Sequence, residues 1–327
     1  MTTIETDLWP SLRHYWHAVA QVSAIQGGPV PVQLLGERLV LVRFSDEIVC
    51  YRDLCIHRGT PLSLGWVEGD ELVCAYHGWR YNSAGDCTKI PALSVERTIP
   101  RKARVQRFRS QERYGLIWVC LDEPVIDIPE FPEFDDPEFS LTYYPPTHWQ
   151  CSAARHTENT VDAAHFAWVH EGILGDRAHP EVPIFDINRH GNELRYQFED
   201  LPNPMHPTPH VRSYRMHRPF TIHQRKERAG DHDVEVSFST VCPTGPRESV
   251  GYLIVARNWT LTPEEAKLHW ELDNRIFEQD RAIVEKQRPE ELPIDLAAEL
   301  HIKGPDAVAV EYRRLMAELG VNVDAAS

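Results

Sequence analysis

From about residue 30 to 121, apolar positions come in short runs, each cut off by Gly, Pro, Asn or Asp. The runs at 38–44, 71–74 and 115–121 have strand length, and many short strands between turn residues predict a small all-β module. Residues 12–19 (LRHYWHAV) precede it as an opening helix or extended lead-in. Residues 122–146 are rich in Pro and acid and read as an extended connector. Beyond 147 the period changes. Strand-like runs near 194–199, 212–223, 233–241 and 249–257 mix with helical segments, one of them at 160–169. The strongest helix starts at Thr262, a good N-cap, with Pro263 at the first helical position and Glu265 closing a capping box. It should run to about Arg288, where Pro289 stops it. A last helix is expected over 306–319, ending at Gly320. The pattern predicts an α+β chain: a lead-in at 1–29 packing with the second domain, a β module at 30–122, a connector at 123–146 and a larger domain at 147–327.

Bulk properties narrow the function classes. The 327 residues, 42% hydrophobic and 25% charged, suffice for two ordinary cores. A net charge of −15 makes nucleic acid or an anionic membrane surface a poor partner. No charged segment followed by an apolar one opens the chain, and no apolar run is long enough to span a bilayer. An odd count of seven cysteines fits a reducing cytoplasm better than a disulfide framework. There is no internal repeat.

Inside the β module stand C-I-H-R-G-T-P-L, from Cys55, and C-A-Y-H-G-W-R-Y, from Cys74. Cys55, His57, Cys74 and His77 could hold zinc tetrahedrally, or a two-iron, two-sulfur cluster with Cys on one iron and His on the other. Ligand order separates the two. Common zinc modules pair Cys with Cys and His with His along the chain, whereas here each loop gives one of each. Gly59, Pro61 and Gly78 suit two tight loops, and Tyr76, Trp79 and Tyr81 supply apolar cover that limits solvent. Cys50, Cys87, Cys120, Cys151 and Cys242 lack such neighbours and read as small buried hydrophobes.

A second group sits in E-N-T-V-D-A-A-H-F-A-W-V-H, residues 158–170. Asp162 and His165, three apart, share a helix face, so the carboxylate can orient the imidazole. His170, five residues further, falls off that face unless the helix bulges or ends. Two histidines need a carboxylate. In the strong helix Leu268, Leu272, Ile276, Asp280 and Val284 form an i+4 row that should face the core. An acid there is costly unless paired or metal-bound. An ion pair with Arg257 or Arg275 is the plainer reading; the functional one makes His165, His170 and Asp280 a facial triad with open positions.

Together the two groups resemble the oxygenase component of the Rieske non-haem iron oxygenases. Asn159, Asp162, His165 and His170 match the family's N-x-x-D-x-x-H-x-x-x-x-H motif, and Asp280 within FEQD matches its late carboxylate. The resemblance implies a Rieske [2Fe–2S] domain and a helix-grip (START-like) catalytic domain, an antiparallel sheet around a long C-terminal helix. It implies iron on His165, His170 and Asp280, with Asn159 and Asp162 in the catalytic machinery. It further implies head-to-tail trimers, sometimes stacked into hexamers, in which Asp162 carries electrons from His77 of a neighbouring copy. LRHYWHAV, ERYGLIWV (112–119) and FAWVHEGILGD (166–176) are similar to the monooxygenase and demethylase branch, purine N-demethylases and saxitoxin-pathway hydroxylases among them. The expected reaction uses O2 to hydroxylate a small ring-containing substrate or to demethylate it with release of formaldehyde. With no GxGxxG in the chain, NAD(P)H would act only through a separate reductase, with or without a ferredoxin. Alternatives are a ring-dihydroxylating dioxygenase, a Rieske electron-transfer protein, and a zinc-stabilised interaction module.

Fainter signals remain. Val161, Trp168, Leu174, Met205, Asn274 and Phe277 are candidate pocket residues, each with a plain core role as its alternative. The basic stretch 101–113 reads as a solvated strand or as a docking patch, through Arg107 and Arg109, for an acidic redox partner. His206, His210, His217 and His223 follow no ligand spacing and read as surface residues.

Overall fold

A computed structural model describes residues 3–45, 47–94, 96–200, 210–228 and 232–319, for residue 228 the backbone only. The chain forms two compact units, residues 13–128 and residues 1–12 with 129–327.

The first unit is all β. Its strands are β1 (His17–Gln21), β2 (Val30–Leu34), β3 (Glu37–Arg43), β4 (Ile48–Arg52), β5 (Trp66–Glu68), β6 (Glu71–Val73), β7 (Arg80–Tyr81), β8 (Cys87–Lys89), β9 (Arg107–Arg113) and β10 (Leu116–Cys120). Six of them form an antiparallel sheet in the order β1-β10-β9-β4-β3-β2, and β5 to β8 form a smaller one. Val40, Val42, Tyr51, Leu62, Leu72 and Tyr81 fill the core between strands, with Cys55 and Cys74 among them. Two metal-candidate loops leave this core, one after β4 and one between β6 and β7.

The lead-in divides differently from the expectation. Residues 13–29 belong to the β unit because β1 pairs along β10; only the first twelve go with the larger unit. The acidic connector is likewise structured. Phe131 is buried and stacks on Phe238, and Glu133 is buried against His223 at 2.9 Å.

The second unit contains α1 (Trp9–Leu12), β11 (Ser140–Tyr143), β12 (Thr147–Trp149), α2 (Ala153–Val161), α3 (Phe166–Val169), β13 (Asn188–His190), β14 (Glu193–Glu199), β15 (His210–His217), β16 (Thr221–Arg228), β17 (Val234–Gly245), β18 (Glu248–Arg257), α4 (Pro263–Val284) and α5 (Ala307–Ala317). The sheet runs β11-β18-β17-β16-β15-β14-β13, all antiparallel, with β12 also on β18. The single run expected at 212–223 is a hairpin: β15 and β16 meet around residues 218–220, where Pro219 cannot donate a ladder bond.

Helix α4 begins as its sequence requires. The Thr262 N–H donates to Glu265 Oε2 at 2.8 Å and the Glu265 N–H to Thr262 Oγ1 at 3.3 Å. It ends at Val284, one turn before Pro289. The i+4 row does not face a solid core, however. Asp280 and Val284 are buried, Leu268 is 64% exposed, and Ile276 lines a cavity beneath the helix. Among the described residues, no helix is long and apolar enough to cross a membrane.

Candidate metal centres and cavity

The two loops of the β unit are near copies. The Gly59 N–H donates to the Cys55 carbonyl and the Gly78 N–H to the Cys74 carbonyl, both at 2.9 Å. The Cys55 N–H donates to the Thr60 carbonyl and the Cys74 N–H to that of Trp79, both at 2.8 Å. Gly59 and Gly78 take φ of 73° and 67°, where a Cβ is strained, which is why each tight loop needs glycine. Cys55 and Cys74 are buried, His57 half-buried and His77 exposed. The imidazoles meet edge to face with centroids 4.5 Å apart, and His57 stacks on Trp79. The Tyr81 hydroxyl lies 3.2 Å from Cys55 Sγ. Burial, with Cys55 beside it, pushes the Cys74 thiol up. His57 Nδ1 is buried with no hydrogen-bond partner among the described residues. Two inner sulfurs, two outer imidazoles and a ring nitrogen free to bind iron fit a Rieske cluster.

In the second unit the awkward five-residue spacing has a local cause. Ser152 caps α2, but Asp162 takes ψ of 111° and ends it. Asp162 Oδ1 then accepts the Ala164 N–H at 2.8 Å, a turn of the kind aspartate favours. His165 restarts the chain as the N-cap of α3, and His170 closes that single turn. The break resets the helical phase and points both rings at α4. Asp162 Oδ2 lies 3.3 Å from His165 Nδ1, and Gln279 Oε1 lies 3.0 Å from His170 Nδ1. Each Nδ1–H has an acceptor, which leaves each Nε2 as the free donor atom.

Those atoms converge. His170 Nε2 is 2.9 Å and His165 Nε2 3.3 Å from Asp280 Oδ1, and the two nitrogens are 3.2 Å apart. Donor atoms bound at about 2.1 Å with near-right angles stand about 3 Å apart. Asp280 Oδ1 is buried and makes no aligned hydrogen bond among the described residues. Burial alone would raise the Asp280 carboxyl, yet the rings hold it down at about 2; burial would lower His165, yet Asp162 and Asp280 hold it up at about 9. The group demands positive charge at its centre. The residues fit a mononuclear metal ion, and the ion-pair alternative fails, since Arg257 binds Glu235 at 2.8 Å and Arg275 is exposed.

A cavity of about 160 Å³ opens beside these atoms, between α4, α2 and the sheet. Leu174 and Phe277 line it as expected, and Asn159 does too. Val161 and Asn274 do not, and Trp168 is 58% exposed under the Arg177 guanidinium; because α3 is a separate turn, its outer face points away from the cavity. Met205 and His206 lie outside the described residues. The sequence reading missed His156, Phe166, Gln224 and Asp273 on the cavity wall, and Gln279 behind His170. Gln279 and Asp273 sit one and seven residues before Asp280 on the same helix, a cue that was available. His156 stacks on Trp149 with centroids 3.8 Å apart, and burial pushes it down to about 3, so it is a neutral wall.

Other expectations shift. All seven cysteines are buried and none forms a disulfide, as the sequence implies. The described histidines of the later group are not surface residues: His217 faces Glu193 at 3.0 Å, His223 is buried against Glu133, and His210 faces Asp200 at 3.6 Å. Half of the cations in the basic stretch are paired, with Arg107 on Glu47, Arg109 on Glu123 and Arg104 on Asp86, which favours the solvated-strand reading for the two arginines in question.

The chain is similar to known proteins over nearly its whole length. Residues 15–108 match the Rieske [2Fe-2S] domain family and residues 149–322 the vanillate O-demethylase oxygenase C-terminal domain family. The chain is 35% identical to methylxanthine N1-demethylase NdmA of Pseudomonas putida over 94% of this chain and 89% of that protein. It is 30% identical to methylxanthine N3-demethylase NdmB of the same species, covering 95% and 90%. The structure of Pseudomonas putida CBB5 NdmA with caffeine superposes with a TM-score of 0.87 at 34% identity, covering 95% and 92%. Dicamba monooxygenase bound to dicamba shares the fold, with a TM-score of 0.80 at 20% identity over 97% and 99% of the chains. With both domain families matched in order and relatives aligned over nearly its whole length, the chain belongs to the Rieske non-haem iron oxygenases, enzymes that use a [2Fe–2S] cluster, a mononuclear iron and O2.

Proposed function

We propose that the chain oxidatively demethylates a small N-methyl heteroaromatic compound in the cavity beside His165, His170 and Asp280. The convergence of three donor atoms on one wall of that cavity carries the reading. Identity to two methylxanthine demethylases supplies the substrate class. Iron held by His165 Nε2, His170 Nε2 and Asp280 Oδ1 would supply the O2 chemistry of the family. The protein's part is positional. Asp162 and Gln279 fix the two rings through their Nδ1 atoms. Phe166, Phe277 and Leu174 offer apolar walls that pack a ring and keep water from it. Insertion of one atom of O2 into a methyl C–H bond, the other leaving as water with two electrons from the reductase and two protons, gives an N-hydroxymethyl product, which splits into the N–H heterocycle and formaldehyde.

Electrons come from a separate reductase by way of the cluster that Cys55, His57, Cys74 and His77 would hold. By resemblance to the family, the chain assembles head to tail as a trimer and Asp162 links His165 to His77 of a neighbouring copy. Two features support that role for Asp162: its carboxylate contacts the far side of the His165 ring, and it lines a polar concavity of about 360 Å³.

The test is O2 consumption and formaldehyde release by the iron-loaded protein with a reductase and a panel of N-methyl heterocycles. Turnover that His165→Ala abolishes supports the reading; turnover unaffected by that change sinks it. Asp162→Asn should retain both metal signals and lose most turnover, and wild-type rates in that variant would refute the bridge.

A further inference from the structure

One buried histidine on the cavity wall has no part in metal binding. His156 lies on α2 and is only 7% exposed. Its ring is held on three sides. Trp149 stacks on one face, with centroids 3.8 Å apart and the planes 3° from parallel. Ser249 Oγ lies 3.2 Å from Nδ1. The Cε1–Nε2 edge lies over Gly251 of β18. A Cβ on that glycine would come within 3.0 Å of Cε1 and 3.3 Å of Nε2, so the strand gives up a side chain to seat the ring. His156 and Gly251 both line the cavity, and Nε2 makes no hydrogen bond among the described residues.

The groups behind the ring decide which nitrogen carries the proton. Burial holds the imidazole down at about 3, so it is neutral and one nitrogen is bare. The Ser249 hydroxyl has two acceptors in reach, His156 Nδ1 at 3.2 Å and Cys151 Sγ at 3.9 Å. The ring nitrogen is the nearer and the stronger, because thiol sulfur accepts weakly. The Ser249 O–H therefore donates to Nδ1. Burial pushes the Cys151 thiol up to about 12, so it keeps its proton and donates to Ser249 Oγ. That chain leaves the His156 proton on Nε2, the atom without a partner in the protein. A buried N–H with no acceptor is costly, and a ligand that brings an acceptor removes the cost.

We propose that His156 is a specificity-determining residue of this cavity, donating its Nε2–H to a carbonyl oxygen or imine-type nitrogen on the edge of an N-methyl heterocycle, with Ser249 holding the ring in the required tautomer. The proposal rests on the demethylase reading and narrows its substrates to oxo- and aza-heterocycles. N-methyl rings of similar size whose edges carry no acceptor are disfavoured. The apolar walls pack either kind of ring; only the first completes the hydrogen bond.

The experiment is calorimetric binding of two probes to the holoenzyme under nitrogen. Caffeine carries acceptors and no N–H, so any hydrogen bond from His156 to it must be donated by Nε2. The second probe, 1-methylindole, is a methylated bicycle with no acceptor on its edge. His156→Phe keeps a ring to stack on Trp149 and removes the donor. It should weaken caffeine about fivefold to tenfold, the usual range for one neutral hydrogen bond, and leave 1-methylindole within about twofold. His156→Gln keeps an N–H donor of similar reach and should restore at least half of the lost caffeine affinity on a logarithmic scale. Ser249→Ala frees the tautomer and should weaken caffeine by a smaller factor, about twofold to threefold, with the indole unmoved. Should the phenyl variant not fold, His156→Met removes the donor in its place. Caffeine affinity unchanged without the donor, equal losses for both probes, no rescue by His156→Gln, or no binding of caffeine to wild type would each overturn the proposal. Full caffeine affinity in Ser249→Ala would overturn the tautomer assignment. None of these would touch the demethylase reading, which stands or falls on formaldehyde release and its loss in His165→Ala.

Discussion

The two metal constellations reach a similar end by opposite routes. In the β unit, four ligand residues come from two short loops, and each loop closes on itself through hydrogen bonds within six residues of its cysteine. In the larger unit, His165 and His170 come from a broken helix and Asp280 from another helix more than a hundred residues later. The first site is a property of local loop chemistry. The second is a property of how α3 and α4 pack across a cavity. A loop site should therefore tolerate changes elsewhere in its domain, whereas the cavity site should be sensitive to anything that shifts α4.

Breaking one site at a time gives the largest effect. Cys74→Ser should abolish the visible absorption and the Rieske EPR signal while iron at the second site remains. Asp280→Ala should do the reverse, leaving the Rieske signal at full strength and abolishing substrate oxidation. Loss of the Rieske signal in Asp280→Ala would show that the two sites are not independently built.

Legibility in the sequence follows the same division. The cluster ligands were readable because C-x-H and C-x-x-H are contiguous and their glycines announce tight loops. His165 and His170 were readable as ligands, but the reason for their spacing was not. It depends on Asp162 capping a turn, and that geometry exists only once α2 stops. Asp280 was found as a misplaced acid in an apolar row, though the row itself proved wrong: Leu268 is in solvent because α4 roofs a cavity. Cavity walls were the least legible. Gln224 and Asp273 line the same cavity from a strand and a helix, and no one-dimensional period records such a pairing. The acidic stretch before β11 looked like a connector because its Pro and acid content hides two buried anchors, Phe131 and Glu133.

A middle-sized effect sharpens the comparison. Gln279 meets the back of His170, through Nδ1 at 3.0 Å, and so fixes the direction in which Nε2 points. Gln279→Leu should preserve the fold and the Rieske signal while weakening iron retention at the second site by roughly 10–100-fold, the usual cost of losing such a partner. The measurement is iron content after graded dialysis against a chelator, and unchanged retention would remove Gln279 from the site. The corresponding change in the β unit, Tyr81→Phe, removes the hydroxyl beside Cys55 and should shift the cluster potential without releasing the cluster.

The smallest effect concerns the N-terminus of α2, the helix that ends at Asp162. Glu5 is buried there, accepting the Ala154 N–H at 2.8 Å, and burial pushes its carboxyl up to about 7. Ala154 and Ser152 pull the other way by hydrogen bonding, and Glu291 adds a like charge nearby. An unfolded glutamate titrates near 4.5, so the folded chain prefers Glu5 neutral. The stabilising contribution is complete below that value and is lost as the pH rises through 7, with a span of at most about 3 kcal/mol. Glu5→Gln can still accept the Ala154 N–H and never ionises. Its melting temperature should match wild type near pH 4.5 and exceed it by a few degrees at pH 8. Parallel pH profiles for the two proteins would mean that Glu5 is already relieved of its charge by a neighbour, and that the start of α2 is held by packing rather than by a neutral acid.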